Sequence, residues 1–421
     1  MITRGFRIVG ALAMLLTAVG IGVFVPTSAG ASSPHVTVLT LQGNSYTPHA
    51  PRGGTDDYHC TLVNPHLTSD TYIVGTHFFP NSVEVHHAIL FDVPPSLAPE
   101  AEAADQGGKG WTCFGETALP SQPLTGGTHS FTSATHHFVN RSASWAAPKA
   151  TNTSFSSAVS DDFGTPWLAA WAPGVPATPE PPGTGVPFAA GSLVVMQVHY
   201  NLLRGDKPVR VKLDLSLVPG STPLKPLNLD LLPAPPDVPC PSNVTGPLCN
   251  RSAELANLAQ RTGASQVAFV AGLETICGRN PADPPESDST SCTWPIGGGR
   301  EILRVAAHMH LTGESMQVVL DPGTPQARTL LNVPDYDFND QAPYNLKTPV
   351  ITAPGDSVSV SCTYNPSLDE ELPLLRKVPP HFITWGDGSS DEMCLALVLS
   401  VAAPPGAQPS TSTAPVQTKQ I

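Results

Sequence analysis

Proline and glycine interrupt this chain so often that long regular helices have little room. The sequence has 47 Pro and 35 Gly among 421 residues, and the apolar segments between them are short and rich in Val, Leu and Thr. Proline breaks helix interiors, whereas β-branched residues fit a pleated sheet. The pattern therefore predicts an all-β protein built from antiparallel β-sandwiches.

Residues 1–31 have the features of a secretory signal. Arg4 and Arg7 precede an almost wholly apolar stretch from Ile8 to Val25, and a small-x-small sequence follows at residues 29–31. The apolar stretch is long enough to cross a bilayer, so an uncleaved membrane anchor is the alternative. We expect a protein secreted to the extracellular space or periplasm, with no membrane attachment after cleavage.

The remaining residues suit two or three domains at ordinary domain sizes. Strands are predicted at Tyr72–Phe79, Val83–Val93, Leu193–Leu202 and Val209–Leu217, and a second strand-rich block from Val267 to Val401. One short helix is predicted around Ala253–Gln260, with Gly263 beyond its end. The expected organisation is an N-terminal domain over 32–218 with a Pro/Gly-rich insertion over 115–190, a Pro-rich linker over 219–241, a C-terminal domain over 242–403, and a disordered tail over 404–421.

Charge and cysteine content limit the kinds of partner and compartment. The net charge of −13 argues against a nucleic-acid partner, because phosphate binding needs clustered Lys and Arg. The eight cysteines contain no CxxC pair, which argues against a zinc ribbon or a thioredoxin-like site. An even number of cysteines behind a secretory signal predicts disulfides, and we expect neighbours along the chain to pair.

Five of the 14 histidines lie within strand-like apolar sequence: His86 and His87 in EVHHAILFDV, His199 in VVMQVHYN, and His308 and His310 in RVAAHMHLTG. Side chains alternate faces along a strand, so His308 and His310 point the same way and can grip one ion. Adjacent histidines such as His86 and His87 diverge on a regular strand and share an ion only where a bulge or twist intervenes. Each group taken alone also suits an ordinary buried or surface histidine.

Met393, next to Cys394 in SSDEMCLALVLS, completes a pattern. The order HH, QVHYN, HxH and DEMC across two β-rich halves resembles the copper type II, ascorbate-dependent monooxygenases, which include peptidylglycine α-hydroxylating monooxygenase and dopamine β-monooxygenase. The flanking sequences DDYHC, YDFND and PGDSVSVSCTYN are also similar to the family. The resemblance runs from about Asp56 to Leu399 and is weakest in the insertion.

The resemblance implies two jelly-roll domains, each with one copper, that face each other across a solvent-filled cleft. It identifies His86, His87 and His199 as ligands of an electron-transfer copper. It also identifies His308, His310 and Met393 as ligands of a catalytic copper. There O2 and a small organic substrate react, with electrons from ascorbate or a similar reductant. Imidazoles bind both copper oxidation states, and a thioether favours Cu(I), which agrees with this assignment.

Further residues follow from the same comparison. The spacings of Cys60–Cys113 and Cys362–Cys394 resemble family disulfides, whereas Cys240–Cys249 and Cys277–Cys292 are expected from proximity. Gln197 lies two residues before His199 on the same strand face, which suggests a supporting contact to the metal ligands. The groups with which the peptide-amidating enzyme holds a peptide carboxylate are replaced here by Ala306, Leu395 and Leu397. We therefore expect a less polar substrate and no peptide amidation.

Three alternatives stay open at this point. His308, His310 and Glu314 resemble a fragment of the cupin metal motif, which would give a mononuclear metal enzyme. The same ligands would also serve a non-catalytic copper-binding protein. A second pair, His136 and His137, competes with His86 and His87, although it lies in the insertion and lacks a following apolar strand.

Overall fold

The computed structural model describes residues 35–115, 117–119 and 166–420. The expected signal sequence, most of the insertion and the pair His136 and His137 lie outside these residues. The described part is predominantly β-structure, as the sequence predicts. It belongs to one compact unit that begins at His35.

The N-terminal half forms two sheets that enclose one apolar core. Its strands are β1 (Thr37–Gln42), β2 (Asp56–Val63), β3 (Thr71–Phe79), β4 (Val85–Val93), β5 (Trp111–Thr112), β6 (Trp167–Trp171), β7 (Thr178–Pro179), β8 (Thr184–Phe188), β9 (Leu193–Asn201), β10 (Lys212–Pro219) and β11 (Lys225–Pro226). One sheet has the order β1-β10-β3-β8-β11, with β7 beside β3, and the other has the order β5-β2-β9-β4-β6. Ile73 and Leu215 of the first sheet meet Leu90 and Met196 of the second in the core between them.

The C-terminal half repeats this layered arrangement. Its strands are β12 (Asn228–Pro233), β13 (Asp237–Val238), β14 (Ser289–Pro295), β15 (Arg300–His308), β16 (Gly313–Leu320), β17 (Arg328–Val333), β18 (Tyr344–Ile351), β19 (Ser357–Tyr364), β20 (Ile383–Thr384), β21 (Leu395–Ala402) and β22 (Thr418–Gln420). The larger sheet has the order β12-β21-β15-β18-β22, the second has the order β14-β19-β16-β17, and β13 pairs with β20. Val305 and Val398 of the larger sheet pack against Val318 and Val360 of the second.

Helical structure is more extensive than the single helix expected from the sequence. The helices are α1 (Ala98–Asp105), α2 (Arg251–Thr262), α3 (Ala264–Ile276) and α4 (Leu368–Glu371), with short 3-10 turns at Pro95–Leu97 and Leu375–Lys377. In α2, Asn250 caps the first turn by accepting a hydrogen bond from Ala253 N. No helix among the described residues has the length and apolar character that crossing a membrane requires.

Helix α3 corrects the prediction that a strand-rich block begins at Val267. The Val and Phe residues of this segment suit a strand, but Gln266, Val270 and Leu273 recur at helical spacing on its buried face. That face packs into an apolar cluster with Trp385 and Leu395. Tertiary packing therefore decides the helical conformation here.

The expected Pro-rich linker and the expected disordered tail both contribute strands to the C-terminal sheets. The Pro-rich segment 219–241 contains β12, which pairs with β21 along its whole length. The expected disordered tail ends in β22, which pairs with β18, and Lys347 N donates to Gln417 O at 2.8 Å. Both are edge strands, where proline is tolerated and where unpaired backbone groups of the sheet recruit further chain.

Four disulfides connect the described cysteines, and these are the four pairs expected from the sequence: Cys60–Cys113, Cys240–Cys249, Cys277–Cys292 and Cys362–Cys394. Cys362 lies on β19 and Cys394 directly precedes β21. This bridge therefore joins the two sheets of the C-terminal half beside Met393.

Replacing both Cys362 and Cys394 by alanine should lower the free energy of unfolding by about 3 kcal/mol, because the bridge closes a long loop of the unfolded chain. The two cysteines are 32 residues apart. Chemical denaturation measures the loss, and peptide mapping without reduction identifies the pairs. The matched control replaces Cys240 and Cys249, which are 9 residues apart, and should lose less. An unchanged unfolding free energy in the Cys362/Cys394 variant would contradict this role.

Candidate metal centre

The first group of histidines lies on two adjacent central strands, β4 and β9. His87 is directly opposite His199, and the register shifts between Val85 and His87. This irregularity removes the strict alternation that would send His86 and His87 to opposite faces. One ring nitrogen from each of the three histidines lies within 4.8 Å of the others, so the three imidazoles can share one ion.

The outer nitrogen atoms of two of these rings are held by hydrogen bonds. His199 Nε2 lies 2.9 Å from a carboxylate oxygen of Asp56, and His87 Nε2 lies 3.2 Å from the Tyr58 hydroxyl. His86 Nδ1 and His199 Nδ1 are 2.7 Å apart. Among the described residues, buried His86 Nε2 and His87 Nδ1 have no hydrogen-bond partner. Buried polar atoms are rarely left unpaired. These nitrogens therefore fit a bound cation.

The second group lies where β15 ends. His308 Nδ1 contacts Gln341 Oε1 at 2.7 Å, and His310 Nδ1 lies 3.0 Å from the Asp391 carbonyl oxygen. A carbonyl oxygen accepts only from a protonated nitrogen, so in the neutral ring Nε2 carries the lone pair. His310 Nε2 is buried and has no hydrogen-bond partner among the residues that the structure describes. The two Nε2 atoms are thus available for a second ion.

Met393 lies on the same side of the sheet as these two histidines. His308 is opposite Leu395 across β15 and β21, and Met393 precedes Leu395 by two residues, so it shares the face of Leu395. Glu392 Oε2 accepts hydrogen bonds from both His310 N at 2.9 Å and Met393 N at 3.2 Å. The Met393 side chain is also part of an apolar cluster with Leu231 and Trp385.

The two groups are in contact, which corrects the expected solvent-filled cleft between them. The ring centroids of His86 and His310 are 5.2 Å apart, and those of His87 and His308 are 6.0 Å apart. His86, His199 and His310 are 3% exposed or less. The physical reason is the segment 386–392, which precedes Met393 and packs against β2 of the N-terminal half.

Hydrogen bonds hold this segment, residues 386–392, from both sides. Tyr58 donates its hydroxyl proton to the Asp387 carbonyl oxygen at 2.9 Å. Ser389 donates to Asp56 from its backbone nitrogen at 2.9 Å and from its hydroxyl at 2.7 Å. From the helices, Arg261 binds the carboxylate of Asp391.

Burial sets the protonation state of the imidazoles. It lowers the pKa of His308 to about 4 and that of His310 to about 3, with the neighbouring imidazoles adding to the effect. Burial and the surrounding histidines also lower the pKa values of His86 and His87 well below the ordinary value. These four rings are therefore neutral at pH 7, which is the form that binds metals.

Two further candidates from the sequence, Gln197 and Glu314, lie apart from the histidine contacts described above. The amide nitrogen of Gln197 donates to the Cys113 carbonyl oxygen at 2.9 Å. Glu314, the third ligand of the cupin alternative, is exposed.

Sequence reasoning missed Asp56, Tyr58 and Gln341. Tyr58 is opposite His199 across β2 and β9, and Asp56 precedes Tyr58 by two residues on the same face of β2. Once β2 is known to pair with β9, the sequence DDYHC therefore indicates that both side chains lie beside His199.

Residues 286–403 match a family described as "Copper type II ascorbate-dependent monooxygenase, C-terminal domain". A mouse relative, DBH-like monooxygenase protein 2, is 34% identical over 89 residues, which is 21% of this chain. The match spans 13% of the length of that relative. Together with the ordered histidine and methionine motifs, these similarities support the copper type II, ascorbate-dependent monooxygenase family, and the family match itself covers residues 286–403.

Proposed function

We propose that this protein is a secreted copper monooxygenase that uses O2 and a reductant such as ascorbate to hydroxylate a C–H bond of a small organic substrate. The observation that carries the proposal is the convergence of five imidazoles from distant parts of the chain into one buried centre. Buried imidazoles without a metal leave unpaired nitrogens such as His87 Nδ1 and His310 Nε2.

The donor set favours two copper ions per chain. His86, His87 and His199 would hold the electron-transfer copper, while His308, His310 and Met393 would hold the catalytic copper. A thioether is a soft ligand that suits Cu(I) and has little affinity for zinc or magnesium. When bound, copper supplies one-electron redox chemistry and the activation of O2.

The protein's own groups orient these ligands. Gln341 and the Asp391 carbonyl oxygen fix His308 and His310 with Nε2 free. On the other side, Asp56 and Tyr58 contact the outer nitrogens of His199 and His87. Such contacts hold ring orientation and keep each ligand in one tautomer. Burial of the centre also excludes bulk water from the reacting groups.

We further propose that the four main sheets form two jelly-roll domains, N-terminal and C-terminal, each with one copper. The N-terminal domain spans 32–218 and the C-terminal domain 242–403, while β12 in the segment 219–241 joins the larger C-terminal sheet. The four disulfides support an oxidising compartment and hence secretion.

The strand face around the second group supports a substrate of low polarity. Leu397 is opposite Ala306 on β15 and opposite Leu231 on β12. Leu395 and Leu397 lie in the apolar cluster that includes Met393. A charged carboxylate placed on this face would lose its hydration without a compensating partner from these side chains.

The first test of the proposal is copper stoichiometry. Purified protein reconstituted with copper should contain about two copper ions per chain, and His308→Ala should lower this to about one, because each site needs its imidazoles. Elemental analysis measures the ratio. His77→Ala, which changes an exposed histidine on β3, is the matched control and should retain both ions. One metal per chain, or zinc retained in preference to copper under reducing conditions, would contradict the two-copper proposal.

The role of Met393 is tested by replacing its sulfur without changing its volume. Met393→Leu should preserve the apolar packing but lower ascorbate-dependent oxygen uptake by orders of magnitude, because the soft ligand is lost. The infrared stretch of carbon monoxide on the reduced protein should shift in this variant and persist in His199→Ala.

Met316→Leu makes the same chemical change in the sandwich core and should leave both activity and the infrared stretch unchanged. If Met393→Leu keeps full turnover with an unshifted stretch, Met393 only fills space. The assignment of the catalytic copper to the C-terminal half would then be wrong.

A further inference from the structure

The buried carboxylate of Asp56 contacts both His199 and Ser389 of the segment 386–392. Asp56 begins β2 and is 4% exposed. Its Oδ1 atom lies 2.9 Å from His199 Nε2 and accepts two hydrogen bonds from Ser389. Its Oδ2 atom accepts from the Thr55 hydroxyl at 2.7 Å. Burying a carboxylate costs free energy unless hydrogen bonds compensate for its lost hydration, and these contacts supply that compensation.

The contact to Asp56 determines which nitrogen of His199 can bind a metal. A carboxylate accepts hydrogen bonds, so the proton of the neutral ring resides on Nε2 and the lone pair on Nδ1. That Nδ1 atom lies 2.7 Å from His86 Nδ1, on the side where the three rings converge. Asp56 thus selects the tautomer of His199 that points its lone pair at its partner ligands.

Ser389 connects the same carboxylate to the second group of histidines. It belongs to the segment 386–392 and is fully buried. Two residues further on, the Asp391 carbonyl oxygen contacts His310 Nδ1 at 3.0 Å. The backbone from Ser389 to Asp391 therefore connects the contact to Asp56 with the contact to His310.

We propose that Asp56 is a positioning residue that fixes the tautomer of His199 and tunes the reduction potential of the copper held by His86, His87 and His199, with Ser389 of the other half setting the strength of this effect. The inference rests on the proposed function, since it assumes that these three histidines hold copper. Beyond the three ligands, Asp56 and Ser389 then determine the redox properties of that site.

The direction of the effect follows from charge. A carboxylate that accepts a hydrogen bond from Nε2–H makes the imidazole a stronger electron-pair donor to copper. The stronger ligand stabilises Cu(II) more than Cu(I) and lowers the reduction potential. Asp56→Asn retains an oxygen acceptor for His199 and Ser389 but removes the charge. We expect it to weaken Cu(II) binding at this site by about 10- to 100-fold and to raise the reduction potential.

Ser389→Ala should act in the opposite direction. It removes the hydroxyl donor and leaves the backbone donor, so Asp56 keeps more of its negative charge for His199. Cu(II) binding should therefore be strengthened, and the reduction potential should fall. A purely structural role would weaken copper binding in both variants, so the opposite signs identify the electrostatic role.

The experiment uses the full chain and Cu(II) itself as the probe. Cu(II) affinity is measured by competition with a chelator, and the potential of the three-histidine site by redox titration followed by electron paramagnetic resonance. Asp57→Asn is the matched control, because Asp57 is the adjacent buried acid and binds Tyr46 and the backbone of His49. Its substitution should change affinity and potential less than Asp56→Asn does, because the hydrogen bonds of Asp57 go to Tyr46 and His49 and its charge acts on His199 only from a distance.

The outcomes separate this inference from the proposed function. Opposite shifts in Asp56→Asn and Ser389→Ala, with a smaller shift in Asp57→Asn, support it. Wild-type affinity and potential in Asp56→Asn, or shifts of the same sign in both variants, overturn it while leaving a copper site in place. If the wild-type chain binds no copper through His86, His87 and His199, the proposed function itself fails. Should Asp56→Asn not fold, an unchanged or raised potential in Ser389→Ala overturns the inference.

Discussion

Burying a cluster of imidazoles and carboxylates requires a partner for nearly every polar atom, and the segment 386–392 provides many of these partners. Ser389 donates to Asp56, which contacts His199, and the Asp391 carbonyl oxygen contacts His310. Each buried polar group left unpaired costs free energy comparable to a lost hydrogen bond, and a buried charge costs more. The geometry of both histidine groups therefore depends on where this one segment docks.

The sheets around the centre supply rigidity, and the segment supplies contact between the halves. His87 and His199 face each other on strands whose side chains are buried at every position except Asp92, so neither ring can move without disturbing a core. His308 is the last residue of β15, which pairs with β21, and Met393 lies two residues before β21 begins. With the segment 386–392 docked, His86 and His310 come into ring contact. Both histidine groups therefore lie within one buried centre.

Local patterns in the sequence predicted many of the strands, because alternation is a local property, whereas the proposed ligands and two of the disulfides followed from the family resemblance. The strand irregularity that His86 and His87 need in order to share an ion is present beside them. The contact between the halves was not predictable, since Asp56 and Ser389 are 333 residues apart and nothing local indicates that they meet. Helix α3 and strand β22 were missed for the same reason: burial against distant strands decides their conformation, against the local composition.

The most direct test of a single buried centre with two ligand groups is a crystal structure of the copper-loaded chain, with anomalous scattering recorded at the copper absorption edge. We expect one anomalous peak among His86, His87 and His199 and a second beside His308, His310 and Met393, with the two histidine groups in contact. Copper bound elsewhere in the chain, or a single peak shared by all five imidazoles, would contradict the assignment of two sites. Ligand groups separated by open solvent would contradict the role of the segment 386–392 in holding them together.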